Sequence, residues 1–188
     1  MIYQAPRSTI EHNGKTYKLN MSFDRVLLAL KIATDKSIFP QDAVEGALAV
    51  LVKGRSKDIS LLVAIFDSLS DGKHDKKSVK SVNFIQDENY IYASFMQAYG
   101  IDLHKTKPHW KDFIALFNGL PNDTIIKQIM EIRTKKIPKM TKHNAAAIRA
   151  LMEQKATYRL DVSPEERRES FNSGLQTLAK AMVAMARK

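Results

Sequence analysis

The sequence predicts a mainly α fold: a small helical domain with an N-terminal β-hairpin and a C-terminal amphipathic helix. Three observations carry this expectation. Apolar residues recur at helical spacing through successive stretches of the chain. Asn13-Gly14 separates two short strand-like runs near the start. Near the other end, Ser163-Pro164-Glu165-Glu166 reads as a capping box with proline at the first helical position.

The elements follow in order. Ser8 to His12 and Lys15 to Asn20 flank Asn13-Gly14, the pair best suited to the positive φ angles of a type I′ turn. Two strands alone are marginal in water, so this hairpin has to lean on a helix or a partner sheet. Ser22 is placed to cap a first helix in which Phe23, Val26, Leu27, Leu30 and Ile32 keep helical spacing. Pro40 starts a second helix, with Val44, Ala47, Leu48 and Leu51 along it. A third helix is expected from Asp58 to Leu69, with Ile59, Leu62, Val63 and Phe66 on its apolar side. The lysine-rich run from Asp71 to Lys80 then reads as an exposed loop.

Beyond the loop comes the stretch richest in aromatics. Asp87 and Glu88 fall in the first turn of a helix, where the dipole favours acids, and Gly100 ends it as a left-handed cap. After Pro108, Trp110, Phe113, Ile114 and Phe117 make an i, i+3, i+4, i+7 stripe that Gly119 and Pro121 terminate. Asn122 or Asp123 is placed to cap a helix carrying Ile125, Ile129 and Ile132, which stops before Pro138. Asn144 to Tyr158 reads as a basic helix with Ala145, Ile148, Leu151 and Met152 inward. In the last helix Phe171, Leu175, Leu178, Met182 and Met185 form a heptad seam, read as a second partner-binding surface, with docking on its own domain or oligomerisation as the role of the helix. The expected organisation is therefore residues 1–160 as the helical domain and 161–188 as an appended amphipathic helix.

Composition narrows the function classes. The chain has 188 residues, 44% of them hydrophobic, enough for a folded core. There are no cysteines, which removes disulfides, thiolate metal sites and cysteine nucleophiles. The N-terminus lacks an apolar core of signal-peptide length and no run is long enough to span a bilayer, so no membrane partner is expected and the chain should stay in the cytoplasm of the cell that makes it. The formal charge is +10, with 13 basic and 11 acidic side chains in residues 1–100 against 17 and 9 in residues 101–188. The excess is densest from Arg133 to Arg159. Arg133, Lys135, Lys136, Lys139, Lys142 and Arg149 are read as a partner-binding basic patch, with a solvated helix face as the plain alternative.

Catalytic patterns are missing. No GxSxG, Walker-type or GxGxxG motif is present. His104 and His109 are five apart with Pro108 between them, and no adjacent carboxylate completes a metal site. Asp87 and Glu88 are neighbours, so they suit capping better than acid–base work from opposite sides of a substrate. Tyr90, Tyr92, Phe95, Tyr99 and Trp110 offer faces on which bases could stack, but their spacing is that of a helix core. No enzyme activity and no cofactor are expected.

One stretch is specific. FIQDENYIYASFMQAYGIDL followed by HWKDFIALFNGLPNDTIIKQIMEIRTKKIPK resembles the bacteriophage gene-product-fifteen family of siphophage tail gene clusters, found in phages and prophages of Gram-positive bacteria. The resemblance rests on the tyrosine-rich helix, on His109-Trp110, on Asn118-Gly119-Leu120-Pro121 and on Glu131-Ile132-Arg133. It extends faintly over about residues 20–160. Lys111 stands where members often carry a second aromatic, which bears on how that helix packs. The resemblance implies a tail assembly chaperone in the bacterial host cytoplasm, whose partners are the tape measure protein, the tail tube protein and further copies of itself. A structural virion component and a basic nucleic-acid binder are the alternatives.

Overall fold

The hairpin forms as the turn residues dictate. Strands β1 (Thr9–His12) and β2 (Lys15–Lys18) pair antiparallel, with Ile10 opposite Tyr17. Asn13 and Gly14 take φ angles of 49° and 71°, the positive pair of a type I′ turn. The computed structural model describes residues 8–69, 81–141 and 143–161. Ladder pairing stops at Lys18, and the continuation turns toward a helix: Asn20 N–H donates to Leu51 O at 2.7 Å, and Lys53 N–H to Lys18 O at 2.9 Å. Of the two supports a two-stranded ribbon can use, the hairpin thus takes the helices.

Eight helices follow among the described residues: α1 (Phe23–Thr34), α2 (Pro40–Leu51), α3 (Ile59–Leu69), α4 (Glu88–Tyr99), α5 (Leu103–Thr106), α6 (Trp110–Asn118), α7 (Ile125–Thr134) and α8 (Ala145–Thr157). The α1–α2 pair packs closely because Gly46 has no side chain; a Cβ there would sit 3.1 Å from Ile32 Cγ2. Val26 and Ala29 of α1 and Ala43, Ala47, Leu48 and Leu51 of α2 are buried. Ser22 is the N-cap of α1 but makes no side-chain cap; its hydroxyl donates to Asn20 Oδ1 at 3.2 Å instead.

The second half of the core is aromatic. Phe113 stacks on Phe23 at 4.8 Å and on Phe95 at 5.3 Å, while Phe84 meets Trp110, Phe113 and Phe117 edge-on. Trp110 and Phe117 are core residues as the stripe requires, and Lys111 faces solvent. Tyr92 and Tyr99 are half-buried, and Tyr99 Oη donates to Leu116 O at 2.9 Å. Tyr90 departs from the expected cluster and lies exposed beside Tyr158. Gly100 closes α4 in the left-handed conformation, with Ile101 N–H reaching back to Phe95 O.

Two helix faces and one helix cap differ from expectation. Helix α3 buries Leu61, Leu62 and Ile65, leaving Ile59 and Val63 outside. Its sequence is apolar nearly all round, so periodicity cannot choose the face. Thr124, rather than Asn122 or Asp123, is the N-cap of α7. Helix α8 buries Ile148 alone, with Leu151 half-buried and Ala145 and Met152 exposed. The expected loop at 71–80 and the helix beginning at Pro164 lie outside the described residues.

Candidate interaction surface

Arg133 heads the expected basic patch, and the fold withdraws it. Ile126, Ile129 and Arg133 share one face of α7 at i, i+3, i+7 spacing, and that face is buried. The Arg133 side chain is 6% exposed and pairs with Asp87, which is 1% exposed. Nη1 donates to Asp87 Oδ2 at 2.6 Å and Nη2 to Oδ1 at 2.7 Å, a bidentate fork. Nη1 also reaches Ser81 O at 3.0 Å, and Nε donates to Tyr158 O at 2.6 Å. Asn83 N–H adds a bond to Asp87 Oδ2 at 2.9 Å. Asp87 is the N-cap of α4 without a side-chain cap bond, so its carboxylate serves the arginine rather than the helix end.

Around this pair the chain is drawn together. Lys155 Nζ donates to Arg133 O at 2.7 Å, tying α8 to α7. The Gln86 side chain donates to Arg159 O at 3.0 Å and accepts from Asp161 N–H at 2.8 Å. Ser94 Oγ accepts Ile126 N–H at 3.1 Å, satisfying an otherwise orphaned donor at the start of α7. The approach to α4, the end of α7 and both ends of the 155–161 segment thus meet at one ion pair.

What remains of the patch is an exposed arm. Residues 135–141 carry no helix or strand and are all exposed. Lys135, Lys136 and Lys139 project from the arm, and Arg149 from α8, all exposed. Lys135 lies 3.8 Å from Glu131, a solvent-facing pair of little energetic weight. Ile137 and Met140 are exposed among these charges, Met140 at 73%, and Met152 is exposed on α8. Asn144 shapes the end of the arm: its amide donates to Lys139 O at 3.0 Å and its Oδ1 accepts Thr141 N–H at 2.6 Å. Lys142 and the seam residues Phe171, Leu175, Leu178, Met182 and Met185 lie outside the described residues.

The histidines are occupied elsewhere. The His104 ring packs on Tyr92 at 4.7 Å, and His109 Nδ1 accepts Lys111 N–H at the start of α6. No group of three or more metal-ligating side chains occurs among the described residues. Among the described residues, no helix is long and apolar enough to cross a membrane.

These features define a class: a small, mainly helical protein with a buried ion-pair knot and an exposed basic arm rooted beside it. The family model described as Bacteriophage Gp15 protein matches residues 4–160, and the chain belongs to that family. The match takes in the hairpin and ends where Leu160 closes the core. No curated protein and no solved structure shows significant similarity to the chain.

Proposed function

We propose that this protein is a phage tail assembly chaperone. It holds the tape measure protein in the host cytoplasm while tail-tube subunits polymerise, and it performs no catalysis. The observation that carries this reading is the arm. Ile137 and Met140 stand in water beside Lys135, Lys136 and Lys139 on the arm, and Met152 stands in water beside Arg149 on α8, an arrangement that costs apolar exposure unless something covers it. Such a surface suits an amphipathic helix with an acidic flank, with methionine adapting to varied apolar side chains. Charge would steer the encounter and exclude basic partners. Several copies along one long helical partner would add avidity to weak single contacts.

The test is co-expression with the tape measure protein of the same phage. The wild-type chain should keep that protein soluble and co-purify with it. Changing Lys135, Lys136 and Lys139 together to glutamate should weaken the complex at least about ten-fold, roughly 1.4 kcal/mol, with the fold unchanged. Failure of the wild-type chain to solubilise or retain the tape measure protein would overturn the proposal. Abundant full-length chain in purified virions would favour a structural virion component instead. Tight DNA binding that falls steeply with salt would favour a nucleic-acid binder.

A further inference from the structure

A second apolar surface lies on the α1–α2–α3 side, away from the basic arm in sequence and opposite to it in charge. A groove of about 550 Å³ opens there between the end of α1, the start of α2 and the outer face of α3. Ile38, Pro40, Val44, Ile59, Val63 and Phe66 line it. Ile59 is 63% exposed and Val63 52%, and Phe39 stands exposed at the rim. Ile59 and Val63 are the α3 residues that fail to reach the core, so the groove is an apolar face that the described residues leave uncovered.

We propose that the seam of the chain's own carboxyl-terminal segment, Phe171 to Met185, docks in this groove. Charge selects the occupant. The rim carries Asp35, Asp42 and Glu45 against Lys36 and Lys57, and Lys57 is already paired with Glu45 at 2.8 Å. From Ser170 to Lys188 the chain has Lys180, Arg187 and Lys188 and no acid at all. That segment is attracted to the acidic rim and repelled by the arm, whose exposed Ile137 and Met140 lie among Lys135, Lys136 and Lys139 in the chain. Its heptad-spaced Leu175, Leu178, Met182 and Met185 form a stripe of the kind that lies in a helical groove. The described chain ends at Asp161, which leaves residues 162–188 to make the connection.

The absence of native cysteines makes the test clean. The full-length chain with Val63→Cys and Met182→Cys is treated with a short bismaleimide, beside a control with Met140→Cys and Met182→Cys. Val63 and Met140 are both exposed, so neither change disturbs the core. The first pair should cross-link at least about ten-fold faster than the control, because docking raises the thiols' effective concentration. Adding Leu178→Glu to the first pair should abolish that advantage. A product of monomer mass assigns the docked segment to the same chain, and one of dimer mass to a neighbouring copy; either supports docking. Equal rates for the two pairs, faster linkage at Met140, or a rate insensitive to Leu178→Glu would overturn the proposal.

Discussion

Replacing Arg133 by alanine should be among the most damaging single changes in this protein. Four hydrogen bonds leave the guanidinium, two to Asp87 and one each to Ser81 O and Tyr158 O. The truncation strands a carboxylate that is 1% exposed and keeps only the Asn83 N–H beside it. Breaking a buried pair by removing one partner costs about 3–5 kcal/mol. That is a large share of the roughly 5–15 kcal/mol that holds a domain folded. Arg133→Lys should recover little, because an ammonium cannot reproduce the fork or span both carbonyls. The double change Arg133→Met with Asp87→Leu should cost less than Arg133→Ala, since no buried charge is left unpaired. Urea denaturation followed by far-ultraviolet circular dichroism and by the fluorescence of the one tryptophan, Trp110, measures all four proteins. A cost below about 1 kcal/mol for Arg133→Ala would refute the buried-pair account, because surface ion pairs rarely exceed that.

Other predictions follow from the same packing. Trp110→Ala should lower stability by about 3–5 kcal/mol, the usual loss for a buried aromatic, measured by circular dichroism because the fluorophore is gone. Ser94→Ala should cost about 1–3 kcal/mol by leaving the Ile126 N–H unsatisfied in the core, and urea midpoints would register it. Asp58 has its carboxyl held below the ordinary value of 3.8, first by the Ser60 hydroxyl and then, against a desolvation penalty, by the Ser60 and Leu61 amides and the nearby His12. Folding therefore favours its carboxylate; the contribution is complete above pH 3.8 and fades as pH falls through the lower folded value. Asp58→Asn should accordingly reduce stability at neutral pH and make the acid limb of the stability curve shallower; an unchanged acid limb would exclude the Asp58 contribution.

Much of this fold is legible in the sequence because its signals are local. Asn13-Gly14 dictates its own turn, Gly100 its own cap, and the Trp110–Phe117 stripe its own buried face. The misreadings have physical causes. In α3 nearly every position is apolar, so the inward face is set by contact with its neighbours rather than by period. Asp87 and Arg133 are 46 positions apart, and composition alone files one as a helix cap and the other as a surface charge. Spacing nonetheless held a clue: Arg133 continues the Ile126–Ile129 face, and an arginine on an apolar stripe needs a buried acid. The candidate arm was half visible. Its lysines declare themselves, but the exposure of Ile137 and Met140 runs against their apolar character and is visible only in the folded chain.

The knot and the arm also explain each other. Arg133 is anchored two residues before Lys135, and Asn144 fixes the backbone at Lys139 and Thr141 from the far side. The arm therefore starts and ends at fixed points although its middle is exposed. A segment ordered this way gives up less conformational freedom on binding than a free loop would, which improves affinity without adding contacts. Placing the charge on the arm while burying Arg133 beneath it separates two tasks that composition merges. The arginine holds the helices together, and the lysines beyond it are left available. Changes at Lys135, Lys136 and Lys139 should consequently alter binding and spare stability. A change at Arg133 should unseat the arm and weaken the fold together.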